Sequence, residues 1–148
     1  GGGRVEAGVR AVGVRPSVPD LVLAPTGGGL CRSDDGGETW TELYDCYCRA
    51  AWIDPDDPNH IVFGPADGVD ARGRIERSTD GGQTWEDVSR GLGVPWPQHM
   101  VERITQVDDE LWAVLSNGEL LTAPLESFEW RRVFPDREAI AAVAALDA

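Results

Sequence analysis

The chain has 148 residues, with 26 acidic side chains against 13 basic ones, a formal net charge of −13 at pH 7. Every basic side chain is Arg, and so acidic a surface repels a phosphate backbone, which sets nucleic acid aside as a partner. No run approaches the ~18 apolar residues of a membrane-crossing helix, and the length and a hydrophobic share of 41% suit one folded domain with its own core.

Residues 1–8, GGGRVEAG, hold no apolar leader core. The first predicted strands are VRAVGV (9–14), LVLAPT (21–26) and GGLCRS (28–33), short apolar or β-branched runs parted by Gly and Pro. Between the first two, RPSVPD sets two prolines three apart, the punctuation of a turn. Then comes RSDDGGETW (32–40), running into WTEL, a loosely alternating strand.

The order then repeats. CRAAWI (48–53), the turn DPDDPN, IVFGPA (61–66) and GRIERS (73–78) lead to RSTDGGQTW (77–85) and WEDV. A third round reads VERITQV (101–107), LWAVLS (111–116), GELLTA (118–123) and WRRV. Trp40, Trp85 and Trp130 follow one another at intervals of 45 residues. A period in the forties signals repeat architecture, and four short antiparallel strands per repeat is a β-propeller blade. The expected fold is all-β: blades at about 9–44, 48–89 and 101–134, with REAIAAVAALDA giving one strand of a fourth at about 138–147. Three blades and a strand do not close a ring. The expected object is a partial propeller within a longer chain, or half of a ring completed by a second copy.

Ser33-x-Asp35-x-Gly37-x-Thr39-Trp40 and Ser78-x-Asp80-x-Gly82-x-Thr84-Trp85 resemble the Asp-box of the BNR repeat family. The third copy departs from the pattern, with Ala123, Leu125, Ser127 and Glu129 where Ser, Asp, Gly and Thr stood. The chemistry of the phrase is that of a self-satisfied turn. Asp and Ser accept from turn N–H groups, Gly takes positive φ, and Trp is an apolar anchor. Asp35 and Asp80 are therefore expected to be structural. The resemblance implies a propeller whose relatives include sialidases, xyloglucan-type glycoside hydrolases, sortilin-type receptors and photosystem assembly factors, and fold alone does not choose among these.

Successive turns of a meander alternate between its two ends. The Asp-boxes and DPDDPN share one face, which gathers Asp34, Asp35, Asp54, Asp56, Asp57 and Asp80. Its spacing is not that of a calcium loop, and a solvated acidic face is expected. The other face carries the individual loops: GPADGVDARGR (64–74), and SRGLGVPWPQHM (89–100) between the second and third blades. Long loops on a rigid scaffold are where binding sits. Trp96, between two prolines, is read either as an exposed stacking platform or as packed inward. His99, Asp67, Asp70, Arg72 and Tyr47 are its candidate partners, with Tyr44 nearby.

No catalytic set can be assigned. A glycosidase needs two carboxylates at a set separation, and the adjacent Arg15 and Pro16 only loosely match a sialidase R-x-P. No cofactor or metal is expected. Cys31, Cys46 and Cys48, an odd number, read as ordinary thiols in a reducing, cytoplasmic setting. The expected function is non-catalytic binding of a protein or saccharide through the loop face. The alternative is a glycoside hydrolase, sialidase-like or xyloglucanase-like, or a fragment of one.

Overall fold

In a computed structural model of the chain, residues 13–15 and 18–133 are described. Twelve strands run in chain order, with no helix among the described residues. The first sheet holds β1 (Gly13–Arg15), β2 (Val18–Thr26), β3 (Gly29–Ser33) and β4 (Thr41–Tyr44). The second holds β5 (Tyr47–Asp54), β6 (Asp57–Ala66), β7 (Glu76–Ser78) and β8 (Glu86–Asp87). The third holds β9 (Val101–Val107), β10 (Glu110–Leu115), β11 (Leu120–Pro124) and β12 (Arg131–Val133). Each is an antiparallel meander in which neighbours in sequence are neighbours in the sheet. Residues 9–12 of the first expected strand and the expected strand at 138–147 lie outside the described residues.

The repeats can be superposed through their ladders, and one alignment changes. Leu23 pairs with Gly13 and Arg32. Val62 pairs with Trp52 and Arg77, and Trp112 with Thr105 and Thr122. Leu23, Val62 and Trp112 are therefore equivalent, and LVLAPT matches HIVFGP rather than IVFGPA. The one-residue slip escapes the sequence because both registers put apolar side chains on both faces. A sheet covered on both sides has no polar face to fix its phase.

Both faces are covered because the sheets pack against one another. Leu23 and Leu30 of the first sheet meet Cys48, Ile61 and Phe63 of the second, with Trp85 and Tyr44 at the margin. Trp52, Val62 and Ile75 of the second meet Leu111, Ala113, Leu121 and Trp130 of the third. The leading strands β5 and β9 lie against each other, and the fit there is close. A Cβ on Gly64 would stand 2.5 Å from the Cβ of Val101, so only Gly lets β9 approach.

The two Asp-boxes fold alike. The Ser33 hydroxyl donates to Asp35 at 2.7 Å and accepts from Gly37 N–H at 2.8 Å. Asp35 also accepts from Thr39 N–H at 2.9 Å and from its hydroxyl at 2.6 Å. Ser78, Asp80, Gly82 and Thr84 repeat this pattern. Each box is tied to the turn after its leading strand: Gly36 N–H to the Asp20 carbonyl at 2.8 Å, Gly81 to Asn59 at 3.0 Å. The third copy, which lacks the box residues, also bonds back to this turn, but from one position earlier, Leu125 N–H to the Asp109 carbonyl at 2.9 Å. A backbone tie therefore survives without the side chains, in a shifted register. The anchors differ in reach. Trp40 Nε1 donates to Gly37 in its own turn at 3.1 Å, whereas Trp130 Nε1 crosses to Val88 of the preceding sheet at 2.8 Å.

Candidate functional site

Two loops meet on the face opposite the boxes, around Gly73. Gly73 N–H donates to the His99 carbonyl at 3.2 Å, and Trp96 N–H donates to the Gly73 carbonyl at 2.9 Å. A Cβ on Gly73 would fall 2.5 Å from Met100 Cα, so the contact requires a residue without a side chain. The 66–74 loop is closed on itself by Asp67 N–H to the Ala71 carbonyl at 2.8 Å and Ala71 N–H to Gly68 at 3.2 Å. Asp70 and Arg72 take positive φ of 51° and 59° to make the turn. The result is a braced projection with Val69 at its tip, 65% exposed.

Trp96 packs inward. At 7% exposure it is part of the core between the second and third sheets. Of the two readings of this residue, the exposed platform is the one corrected. The burial follows from the two backbone bonds at Gly73, which fold the loop down over the core. His99 stacks on the indole, ring centroids 5.3 Å apart, and its Nε2 is buried without a hydrogen-bond partner.

The centre of the face is Arg49, which the sequence reading did not single out. Its side chain is 8% exposed. Nη1 binds Asp70 at 2.8 Å and also the carboxylate of Glu102, and Nε donates to the Tyr47 hydroxyl at 3.3 Å. The guanidinium also lies 5.2 Å from the centroid of the Tyr47 ring, a cation–π distance. Asp70 is held below its ordinary pKa, first by a hydrogen bond from the Ser116 hydroxyl and then by Arg49, against a push from burial. Ser116 in turn accepts from Met100 N–H at 3.0 Å.

A second guanidinium, that of Arg74, gathers its own set of partners. Arg74 binds Glu76 at 2.9 Å and Asp67 at 3.0 Å, and donates to the Tyr44 hydroxyl at 3.1 Å. That hydroxyl donates to Glu76 at 2.9 Å. Arg72 binds the other Asp67 oxygen at 3.0 Å. Of the residues proposed from sequence, Asp70 and Tyr47 therefore converge on Arg49, Asp67 and Arg72 pair with each other, and Trp96 and His99 stack behind them. The signal for Arg49 and Glu102 was present: a charge inside each apolar leading strand, CRAAWI and VERITQV. A charge buried in such a strand needs a partner.

On the opposite face, the aspartates of DPDDPN cap their own turn. Asp54 accepts from Asp56 N–H at 2.8 Å and Asp57 from Asn59 N–H at 3.0 Å. His60 Nδ1 lies 2.9 Å from the other Asp54 oxygen.

No family model matches the chain, and no curated protein matches it. Solved structures do. An ancestral GH74 enzyme superposes with a TM-score of 0.70 at 17% identity, over 93% of this chain and 20% of that one. The GH74 xyloglucanase from Xanthomonas campestris gives 0.65 at 17% identity, over 88% of this chain and 23% of its own. YCF48 bound to D1 peptide gives 0.62 at 14% identity, over 88% and 40%. The chain folds as a run of β-propeller blades. It spans between a fifth and two fifths of the length of those three proteins, and at such identities the likeness is one of fold.

Proposed function

We propose that this chain is a non-catalytic repeat module of BNR/Asp-box type that binds a protein segment through the loops around Gly73. The observation that carries the reading is the state of the carboxylates on that face. Asp67, Asp70, Glu76 and Glu102 are each held by a guanidinium. A general acid needs a carboxyl that keeps its proton near neutral pH, and Asp70 is instead shifted toward the ionised form. Such a face is a fixed pattern of charge around one exposed apolar tip, Val69, as an interface offers. The burial of Trp96 takes away the stacking surface this loop would have offered a saccharide. That one neighbour of similar fold holds a peptide supports the protein class of ligand, and a net charge of −13 favours a basic segment.

The test is a titration of isotope-labelled protein, followed by amide shifts. Short Lys-rich peptides are expected to move the resonances of Gly68, Val69 and Gly73. Xyloglucan oligosaccharides are expected to leave them in place, and xyloglucan is expected to yield no new reducing ends. Saccharide-induced shifts at those amides, or release of reducing ends, would support the glycoside hydrolase alternative instead.

A further inference from the structure

The third sheet buries a face that is turned away from the second. Directly paired residues share a side of a sheet, and neighbours along a strand alternate. Leu111, Ala113 and Leu121 face the second sheet. Trp112 and Val114 therefore point the other way, together with their partners Thr122 and Leu120. Leu120 and Thr122 are nonetheless 3% and 0% exposed, and neither belongs to a cluster that joins two sheets. Trp112 Nε1 is also shut off from solvent, without a hydrogen-bond partner. Equivalent positions show what such a face receives. Leu23 and Val62, the counterparts of Trp112, are fully buried against the sheet that follows their own.

We propose that this face is the docking surface for the chain's own residues 137–148, REAIAAVAALDA, which lie on it as the leading strand of a further sheet. The chain length fits. β5 opens seven residues after Trp40, at Tyr47, and REAIAAVAALDA opens seven residues after Trp130, at Arg137. The side-chain pattern fits too. In β5, Ala51 and Ile53 pack back toward the first sheet, and the same offsets from Trp130 give Ala141 and Val143. With Ala139 and Ala145 these form one side of an extended strand, and all four are small. Small side chains opposite a large one let two layers interlock, and Trp112 is far larger than Leu23 or Val62.

Charge completes the match. Arg103 and Arg131 share the Trp112 face, through their pairing with Val114 and Thr122. The segment carries Glu138 and Asp147 near its two ends, so carboxylates flank its apolar run where guanidinium groups flank the indole. A docked strand hides the apolar side of an end sheet, which would otherwise invite association. This docking does not rest on the binding reading above, since it involves none of the loops around Gly73.

The experiment uses the full chain and nuclear magnetic resonance, with the Trp112 indole assigned by Trp112→Phe. Overhauser contacts are expected from the Trp112 ring to the methyl groups of Ala141 and Val143. A mixture of isotope-labelled and unlabelled chains should show no such contacts between copies. Val143→Asp should speed hydrogen exchange of the Trp112 indole N–H roughly tenfold or more. Ile140→Asp, on the other side of the strand, should not. Absence of the contacts in folded protein would overturn the proposal. So would contacts found only between copies, which would make a second chain the occupant, or equal exchange in the two variants.

Discussion

Arg49 and Glu102 occupy the same position in neighbouring blades, and they are joined by an ion pair. The ladders show the equivalence. Cys48 pairs with Pro65 and Ala51 with Phe63, leaving Arg49 and Ala50 in a bulge. Val101 pairs with Leu115 and Arg103 with Val114, leaving Glu102 in one as well. A bulge re-aims a side chain that would otherwise enter the sheet. Repeating the bulge aims the two charges at each other.

Replacing Arg49 tests how much rests on that pair. Arg49→Met leaves Asp70 and Glu102 facing each other with no cation between them. Removing one side of a fully buried pair costs about 3–5 kcal/mol. Here both carboxylates are partly exposed, so about 1–3 kcal/mol is expected. Urea unfolding measures it. Glu102→Gln, which keeps a hydrogen-bond acceptor and leaves Asp70 to hold Arg49, should cost less than Arg49→Met. An equal loss would mean that the pair with Asp70 contributes nothing.

The approach of β9 to Gly64 yields a coupled prediction. Gly64→Ala places a methyl 2.5 Å from Val101 Cβ and 2.9 Å from its Cγ2. Overpacking of this kind costs roughly 1–3 kcal/mol. Val101→Gly removes the Cβ that the new methyl would meet, with both methyl groups, and leaves a gap. The double variant Gly64→Ala/Val101→Gly should therefore be more stable than the sum of the single losses predicts. A double-mutant cycle on unfolding free energies checks this, and strict additivity would place the strain elsewhere.

The two box aspartates govern the acid limb of stability. Asp35 is lowered to about 2, first by the Thr39 hydroxyl and then by the Thr39 amide and Ser33. Asp80 is lowered still further by its own Thr84 and Ser78. A carboxyl depressed in the folded state contributes stability above its unfolded pKa and loses it as pH falls through the folded one. The loss is therefore expected as pH drops from about 4 to about 2. Asp80→Asn should be less stable at neutral pH and should show a flatter decline across that window. Acid titration of the near-ultraviolet circular dichroism measures both.

The blades were legible because their turns are chemically distinctive. Ser, Asp, Gly and Thr at fixed offsets have few other uses, and 45-residue spacing of Trp fixes the period. The one-residue shift of LVLAPT was not legible, since Leu23 and Ala24 are both buried and nothing local separates their faces. The burial of Trp96 was legible only as one of two readings. It depends on Gly73, more than twenty residues earlier in the chain, receiving the loop through two backbone bonds. Asp70 was legible as a loop residue, whereas Tyr47 opens β5 and the shared partner Arg49 lies inside that strand, away from the loops that carry individual sequence.

Trp96 and Val69 separate the folding role of the loop face from its binding role. Trp96→Ala removes a large buried ring and should cost about 3–5 kcal/mol, so lost binding in that variant would report a disturbed core. Val69 is 65% exposed and its substitution should move stability by no more than about 0.5 kcal/mol. Val69→Ser removes the apolar tip without adding charge, while leaving the braces at Gly68, Ala71 and Gly73 intact. It should keep the unfolding curve of the parent chain and weaken the response of the loop amides to Lys-rich peptides. The readout has to pair thermal unfolding with the peptide titration on the same sample. Unchanged stability with an unchanged titration would remove Val69 from the interface, and with it the apolar tip on which the binding reading leans.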